Sequence, residues 1–221
     1  MSDDGFAIIP DVVGSDEVAS LFARLAVAPM SRSRAGARHL LNVPEVSSLA
    51  RHPKLMAIAA SFLGCTPIPF GATLFDKSAD TNWLVVWHQD TALPLRLRLD
   101  VHGWGPWSVK DGVTYAHAPA AALSRVVALR VHLDDSLTDN GPLRVLPGSH
   151  TLGVLTDAQI HDLAARIPHA VCTVPRGGVV VMRPLIVHSS SKARSPLPRR
   201  VIHIEYAETI ALESGLELCA A

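Results

Sequence analysis

Apolar positions along this chain change their spacing near residue 65. Before that point they recur at helical intervals. Ser15 can cap a helix running to about Leu25, with Asp16 and Glu17 favourable in its first turn. A second helix is expected from Pro53 to a stop at Gly64. From Thr66 onward, short apolar and alternating runs bounded by Gly and Pro predict strands. They are 68–75, 83–90, 126–133, 143–146, 170–174, 178–182, 185–188 and 199–206. Thr156-Asp157-Ala158-Gln159 has the form of a capping box, so a short helix should follow it.

Many short strands with Gly and Pro turns indicate a sandwich or barrel. A double-stranded β-helix, the cupin-like jelly roll, is the version that sets distant strands side by side. The expected organisation is one domain, mainly β with N-terminal helices. A mainly helical layer spans 1–65 and a jelly-roll core spans 66–210. Residues 91–124 fit neither pattern. They contain Trp104, Trp107 and Tyr115 within an irregular stretch too long for a tight connection. The expectation is a lid or substrate wall, the alternative being a loop packed by its own aromatics.

Composition narrows the function classes. The chain has 221 residues, 48% hydrophobic, with 20 basic and 20 acidic side chains and no net charge when histidine is neutral. That balance argues against a nucleic-acid binder or a membrane-surface binder. Cys65, Cys172 and Cys219 are odd in number and far apart, so no disulfide framework is expected. The acidic opening Met1-Ser2-Asp3-Asp4 is unlike a signal or transit peptide, and the expected compartment is the cytoplasm. Arg32, Arg34 and Arg38 are expected to form a solvated basic stretch.

Candidate chemistry lies in two separated segments. His88-Gln89-Asp90 follows the apolar run Leu84-Val85-Val86-Trp87, and residues two apart on a strand project from one face. A lone His188 and Arg199 lie near the other end. Two histidines and one carboxylate form the facial triad of non-haem Fe(II) oxygenases. An arginine nearby suits a co-substrate carboxylate, because its planar fork matches that group bidentately. The triplet alone is weak, since His132-Leu133-Asp134 and His203-Ile204-Glu205 share it. If Arg199 points inward on the last strand, so do Val201, His203 and Glu205. The last two are then either cavity contacts or an internal hydrogen-bonded pair, while Arg200 faces outward.

Several blocks in order resemble the phytanoyl-CoA dioxygenase family of Fe(II)- and 2-oxoglutarate-dependent oxygenases. They are Gly5-Phe6-Ala7-Ile8-Ile9-Pro10, Leu74-Phe75-Asp76-Lys77, Trp87-His88-Gln89-Asp90, 129–135, 140–150 and the segment from Arg183 through His188. The resemblance implies a jelly roll with a helical layer, and His88, Asp90 and His188 as metal ligands. It implies Arg199, eleven residues beyond His188, as the clamp for the distal 2-oxoglutarate carboxylate, assisted by Ser190. Lys77 is a further candidate anion contact. Trp104, Trp107, Tyr115, His203 and Glu205 are candidate substrate contacts. The implied cofactor is Fe(II), with 2-oxoglutarate and O2 as co-substrates, and the implied reaction is oxidation, most simply hydroxylation, of a C–H bond in a small molecule. The presence of Asp90 favours oxygenation over halogenation. The alternative is a non-oxidative, cupin-like isomerase or ligand-binding module holding zinc or another divalent ion.

Overall fold

In the computed structural model, which describes residues 4–28, 30, 33, 36–78 and 81–220, the apolar spacing becomes layers. Helix α1 is Ser15–Val27, and its apolar stripe of Val18, Leu21 and Leu25 is buried. Gly14, rather than Ser15, occupies the cap position, and the Glu17 carboxylate accepts the Gly14 N–H at 2.9 Å. Helices α2 (Pro44–Ala50) and α3 (Pro53–Leu63) follow, each with Pro in its first turn, where a missing N–H costs nothing. α3 ends at Gly64 in the left-handed conformation. α4 is the short Ala120–Leu123, and α5 is Asp157–Arg166 behind the expected Thr156–Gln159 capping box.

The strands are β1 (Phe6–Ile9), β2 (Gly36–Ala37), β3 (Ile68–Lys77), β4 (Val85–His88), β5 (Ala92–Leu95), β6 (Trp107–Lys110), β7 (Val113–His117), β8 (Val126–His132), β9 (Leu143–Val145), β10 (Ala170–Cys172), β11 (Val179–Met182), β12 (His188–Ser190) and β13 (Arg199–Ala207). The major sheet has the order β1-β11-β8-β13-β3-β2, and the minor sheet the order β10-β9-β12-β4. Their strand pairs are antiparallel. The two sheets form an open jelly roll, not a closed barrel.

Two cores flank the major sheet. On its outer face Leu74, Leu129, Val131, Ile202, Ile204 and Tyr206 pack with Val18, Leu21, Leu25 and Leu55 of the helices. Between the sheets, Ala128, Val180 and Met182 meet Leu143, Val145, Cys172 and Ile186. This inter-sheet core fills one part of the sandwich and leaves the part near β3, β4, β12 and β13 to polar side chains.

The N-terminal layer is mainly helical and also supplies β1 and β2, the two edge strands of the major sheet. Two expectations are corrected. The stretch 185–188 is a turn leading into β12, which starts at His188. The segment 91–124 is not irregular: β5, β7 and β6 form a third, three-stranded antiparallel sheet. Leu93, Leu95, Trp104 and Ala116 bury against Leu216 and Leu218 of the C-terminal segment. Of the basic stretch, Arg32 and Arg34 fall outside the described residues, while Arg38 is exposed.

Candidate active site

The pairing of β4 with β12 sets His188 directly opposite His88, which brings together residues a hundred positions apart. Asp90 continues from β4, its N–H bonded to the Pro184 carbonyl at 3.0 Å. Asp90 Oδ1 lies 3.5 Å from His88 Nε2 and Oδ2 lies 3.5 Å from His188 Nε2. One ligand atom from each of the three falls within 4.8 Å of the others, so His88, Asp90 and His188 could hold a metal ion.

Both imidazoles are oriented from behind. His88 Nδ1 donates to the Val86 carbonyl and His188 Nδ1 to the Ile186 carbonyl, each at 2.9 Å. A carbonyl can only accept, so the neutral rings carry their proton on Nδ1 and present the Nε2 lone pair to the centre. Gln89 points the other way. Its buried amide donates to the Gly153 and Leu185 carbonyls at 2.9 and 2.7 Å and accepts the Leu155 N–H at 2.9 Å. It thereby ties the turn before His188 to the strand that carries His88.

Electrostatics favour a metal-ready state. Burial opposes ionisation of Asp90, but His188 and His88 outweigh it and hold the carboxyl well below the usual range. Burial pushes His188 down to about 4, so this ring is neutral at neutral pH, as a ligand must be.

A cavity of about 90 Å³ adjoins the triad, lined among others by Phe75, Trp83, Arg130, Ser190 and Arg199. Arg199 is 2% exposed, and its Nε and Nη1 have no partner among the described residues. Nη2 donates to Ser190 Oγ at 3.3 Å. Ser190 Oγ in turn donates to the Gly141 carbonyl at 2.8 Å and accepts from Lys77 Nζ at 2.8 Å. Gly141 has φ +73°, and a Cβ there would meet the Ser191 carbonyl oxygen at 2.6 Å and Lys77 Nζ at 3.0 Å, so glycine is needed for this close approach. Lys77 is fully buried, and burial, then Arg199, Arg130 and Arg144, push it down to about 7.

The other candidates separate into groups. His203 lies on the inner face of β13, where burial and then Arg130 push it down to about 3. Glu205 is half-buried opposite Gly71, whose missing Cβ leaves room for the carboxylate. Burial, then Asp90, push it up to about 8. Tyr115 Oη meets His39 Nε2 at 3.0 Å, with Lys110 Nζ 4.6 Å above its ring. Burial, then Glu205, raise the Tyr115 pKa.

Trp104 is not a cavity residue. It is buried in the separate core beneath the three-stranded sheet, its indole N–H held by Glu213 at 2.9 Å. Trp107 packs against that same core with the Arg98 guanidinium over its ring. His132 is buried on β8, and Asp134 forms two bonds to the Arg200 guanidinium, at 2.6 and 2.7 Å. That second triplet therefore makes no metal cluster.

Arg130, Phe75 and Trp83 line the cavity without having been singled out as site residues. For Arg130 a signal existed. It is a charge in the middle of the apolar run Val126-Val127-Ala128-Leu129-Arg130-Val131, on the same strand face as His132. A wider cleft of about 590 Å³ between α1 and α2 is lined by Arg24, Glu45, His52 and Glu17, which already pair with one another.

Comparison with known proteins gives the chain a family and a set of structural neighbours. The family described as Phytanoyl-CoA dioxygenase (PhyH) matches residues 1–201. L-proline trans-4-hydroxylase of Streptomyces griseoviridis is 28% identical over 184 residues, 72% of this chain. The chain spans about 61% of that relative's length. Among solved structures, AviO1 from Streptomyces viridochromogenes Tue57 has a TM-score of 0.66 at 26% identity, covering 92% of this chain and 90% of that one. The epimerase SnoN, in complex with Fe3+, alpha ketoglutarate and nogalamycin RO, has a TM-score of 0.69 at 21% identity, covering 94% and 80%.

Proposed function

The chain belongs to the phytanoyl-CoA dioxygenase family, and from that premise we propose that it is an Fe(II)- and 2-oxoglutarate-dependent dioxygenase oxidising a C–H bond of a small molecule. The observation that carries this reading is the junction of two features in one cavity. One is the His88–Asp90–His188 cluster, and the other is a buried Arg199 guanidinium with two unpartnered nitrogens. A buried charge without a partner is costly, so its presence argues for an anionic ligand. A site for zinc alone gives no reason to bury that charge.

In this reading His88, Asp90 and His188 hold Fe(II), and Arg199, Ser190 and Lys77 hold the distal carboxylate of 2-oxoglutarate. With O2, the bound pair supplies the oxidising chemistry and yields succinate, CO2 and an oxidised substrate carbon. The protein contributes orientation. The Val86 and Ile186 carbonyls fix both rings, and Gln89 fixes the turn that precedes His188. Hydroxylation is the preferred outcome, supported by the likeness to a proline hydroxylase. Tyr115, His203 and Glu205 are proposed on the substrate side, and the sheet of β5, β6 and β7 as its cover. No helix among the described residues is long and apolar enough to cross a membrane. A cytoplasmic setting without nucleic-acid or membrane partners is part of the proposal.

The test is anaerobic addition of 2-oxoglutarate to the Fe(II)-loaded protein. A weak visible charge-transfer band, followed by succinate formation on admitting O2, is the expected result. Absence of both at saturating Fe(II) and 2-oxoglutarate would overturn the proposal.

A further inference from the structure

Arg130 and Arg199 line one small cavity, and Lys77 bonds to Ser190 in its wall; Arg199 and Lys77 sit where the distal carboxylate is expected, and Arg130 does not. Arg199 and Lys77 are register partners at one end of β13 and β3. Arg130 is register partner to His203, four residues further along β13, or about 13 Å of strand. Arg130 is 7% exposed, its Nε is buried without a partner, and its Nη1 lies 3.3 Å from His203 Nδ1. Its guanidinium carbon stands 5.0 Å from the centre of the Phe75 ring, which gives the group a fixed face. It lines the same cavity as the three metal-binding candidates.

None of Arg130, Arg199 and Lys77 takes part in an ion pair among the described residues. Buried cations without counter-ions call for negative charge from outside. Asp90 alone cannot supply it, being engaged between two imidazoles. A ligand with a carboxylate at each end and a chelating group at one of them matches this distribution.

We infer that Arg130 is a second carboxylate clamp, binding the metal-end carboxylate of 2-oxoglutarate while Arg199, Lys77 and Ser190 hold the far end. This rests on the dioxygenase reading and adds a residue to it. The stacked guanidinium then fixes the direction in which the chelating carboxylate points, and so fixes which side of the metal remains open to substrate. His203 becomes a positioning residue, because its neutral ring accepts from Arg130 and holds the fork in place.

The experiment compares Arg130→Gln, Arg130→Lys and Arg199→Gln in the anaerobic Fe(II) protein, titrated with 2-oxoglutarate and followed by the charge-transfer band. Arg130→Gln should weaken 2-oxoglutarate roughly 30-fold or more. It should also move the band, because the chelating carboxylate loses a cation and becomes a stronger donor. Arg199→Gln should weaken binding comparably but leave the band position unchanged. Arg130→Lys should restore part of the affinity, lacking the fork.

A wild-type measurement guards against variants that fail to fold. In the Zn(II)-loaded protein, the Nε–H nuclear resonances of both Arg130 and Arg199 should shift when 2-oxoglutarate is added. If only Arg199 shifts, or if Arg130→Gln binds within about twofold of wild type with the same band, the inference is overturned. If the unsubstituted protein gives no band at all, it is the dioxygenase reading that falls.

Discussion

The two faces of β13 make opposite use of the same alternation. Ile202, Ile204 and Tyr206 face the helices and are fully buried, and the Tyr206 hydroxyl donates to the Ala50 carbonyl at 2.9 Å. Arg200, on that same side, is paired with Asp134 and lies over the Phe22 ring. One residue away, Arg199, His203 and Glu205 face inward with their polar groups incompletely matched. The helix face has its hydrogen bonds and ion pairs made within the protein. The cavity face holds charge that only a ligand can match. The contrast predicts that outer-face changes lower stability and spare ligand binding, and that inner-face changes do the reverse.

The largest effect should come from the metal cluster. Asp90→Ala removes the only carboxylate among the three candidate ligands, and Fe(II) affinity should fall by more than the 10–100-fold typical of losing a partner that merely orients a ligand. Asp134→Ala and His132→Ala should leave Fe(II) affinity nearly unchanged, since neither side chain reaches the cluster. Competition against a chromogenic chelator measures all three. Loss of Fe(II) affinity in the second pair, with none in Asp90→Ala, would make it, not His88 and Asp90, the ligand pair.

The next comparison is within β13. Ile204→Ala leaves a cavity in the outer core and should cost about 2–5 kcal/mol of stability without altering 2-oxoglutarate affinity in the fraction that folds. Arg199→Ala should be close to neutral in denaturant melts, because it removes a buried unpaired charge. Its 2-oxoglutarate Kd should rise by at least tens-fold, on the scale of about 2–5 kcal/mol for a broken charge-assisted pair. Arg200→Ala should change the affinity little. A reversed order of Arg199 and Arg200 would put the clamp on the wrong face of the strand.

That phase was legible in the sequence because alternation on a long strand needs no tertiary information. The separation of Arg199 from Arg200, and the position of His203 and Glu205 beside the cavity, follow from it. The pairing of His88 with His188 was not legible from periodicity. It depends on β12 starting at His188 rather than at Leu185, and short three-residue strands carry little pattern. The three-stranded sheet was hidden for another reason. Pro94 lies within β5 and Gly103, Gly105 and Pro106 precede β6, a composition that signals a loop. Trp104 looked like a ligand contact because its partners, Leu216, Leu218 and Glu213, lie a hundred residues away. Arg130 carries no motif, because a single charge in an apolar strand shows only an unbalanced burial cost.

A smaller effect concerns pH. Burial and the neighbouring guanidinium groups push Lys77 down to about 7, so in the free protein it loses its proton as pH rises through that value. A bound carboxylate favours the ammonium and raises its pKa in the complex. Between those two values binding takes up protons, and the 2-oxoglutarate Kd should climb by up to about tenfold per pH unit. Lys77→Met should bind more weakly at pH 6.5 and lose most of that slope. Titrations at pH 6.5, 7.5 and 8.5 compare the two. Parallel profiles would mean that Lys77 does not sense the ligand.

A last comparison tests how dry the cavity face is. Glu205 sits opposite Gly71 with no hydrogen-bond partner among the described residues, and its pKa is pushed up to about 8 from an ordinary 4.5. Between those values the folded protein holds a proton that the unfolded chain releases. Stability therefore falls as pH rises through the window, and the full penalty is present above about pH 8. Glu205→Gln removes the titration and keeps the shape. The variant should match the wild type near pH 4.5 and gain progressively, reaching roughly 1–3 kcal/mol at pH 8.5 once partial exposure of the carboxylate is allowed for. Denaturant melts at both pH values measure the difference. A gap that does not widen with pH would mean that the carboxylate is already solvated, and the inner face of β13 would then differ from the outer face in its charges alone and not in its dryness.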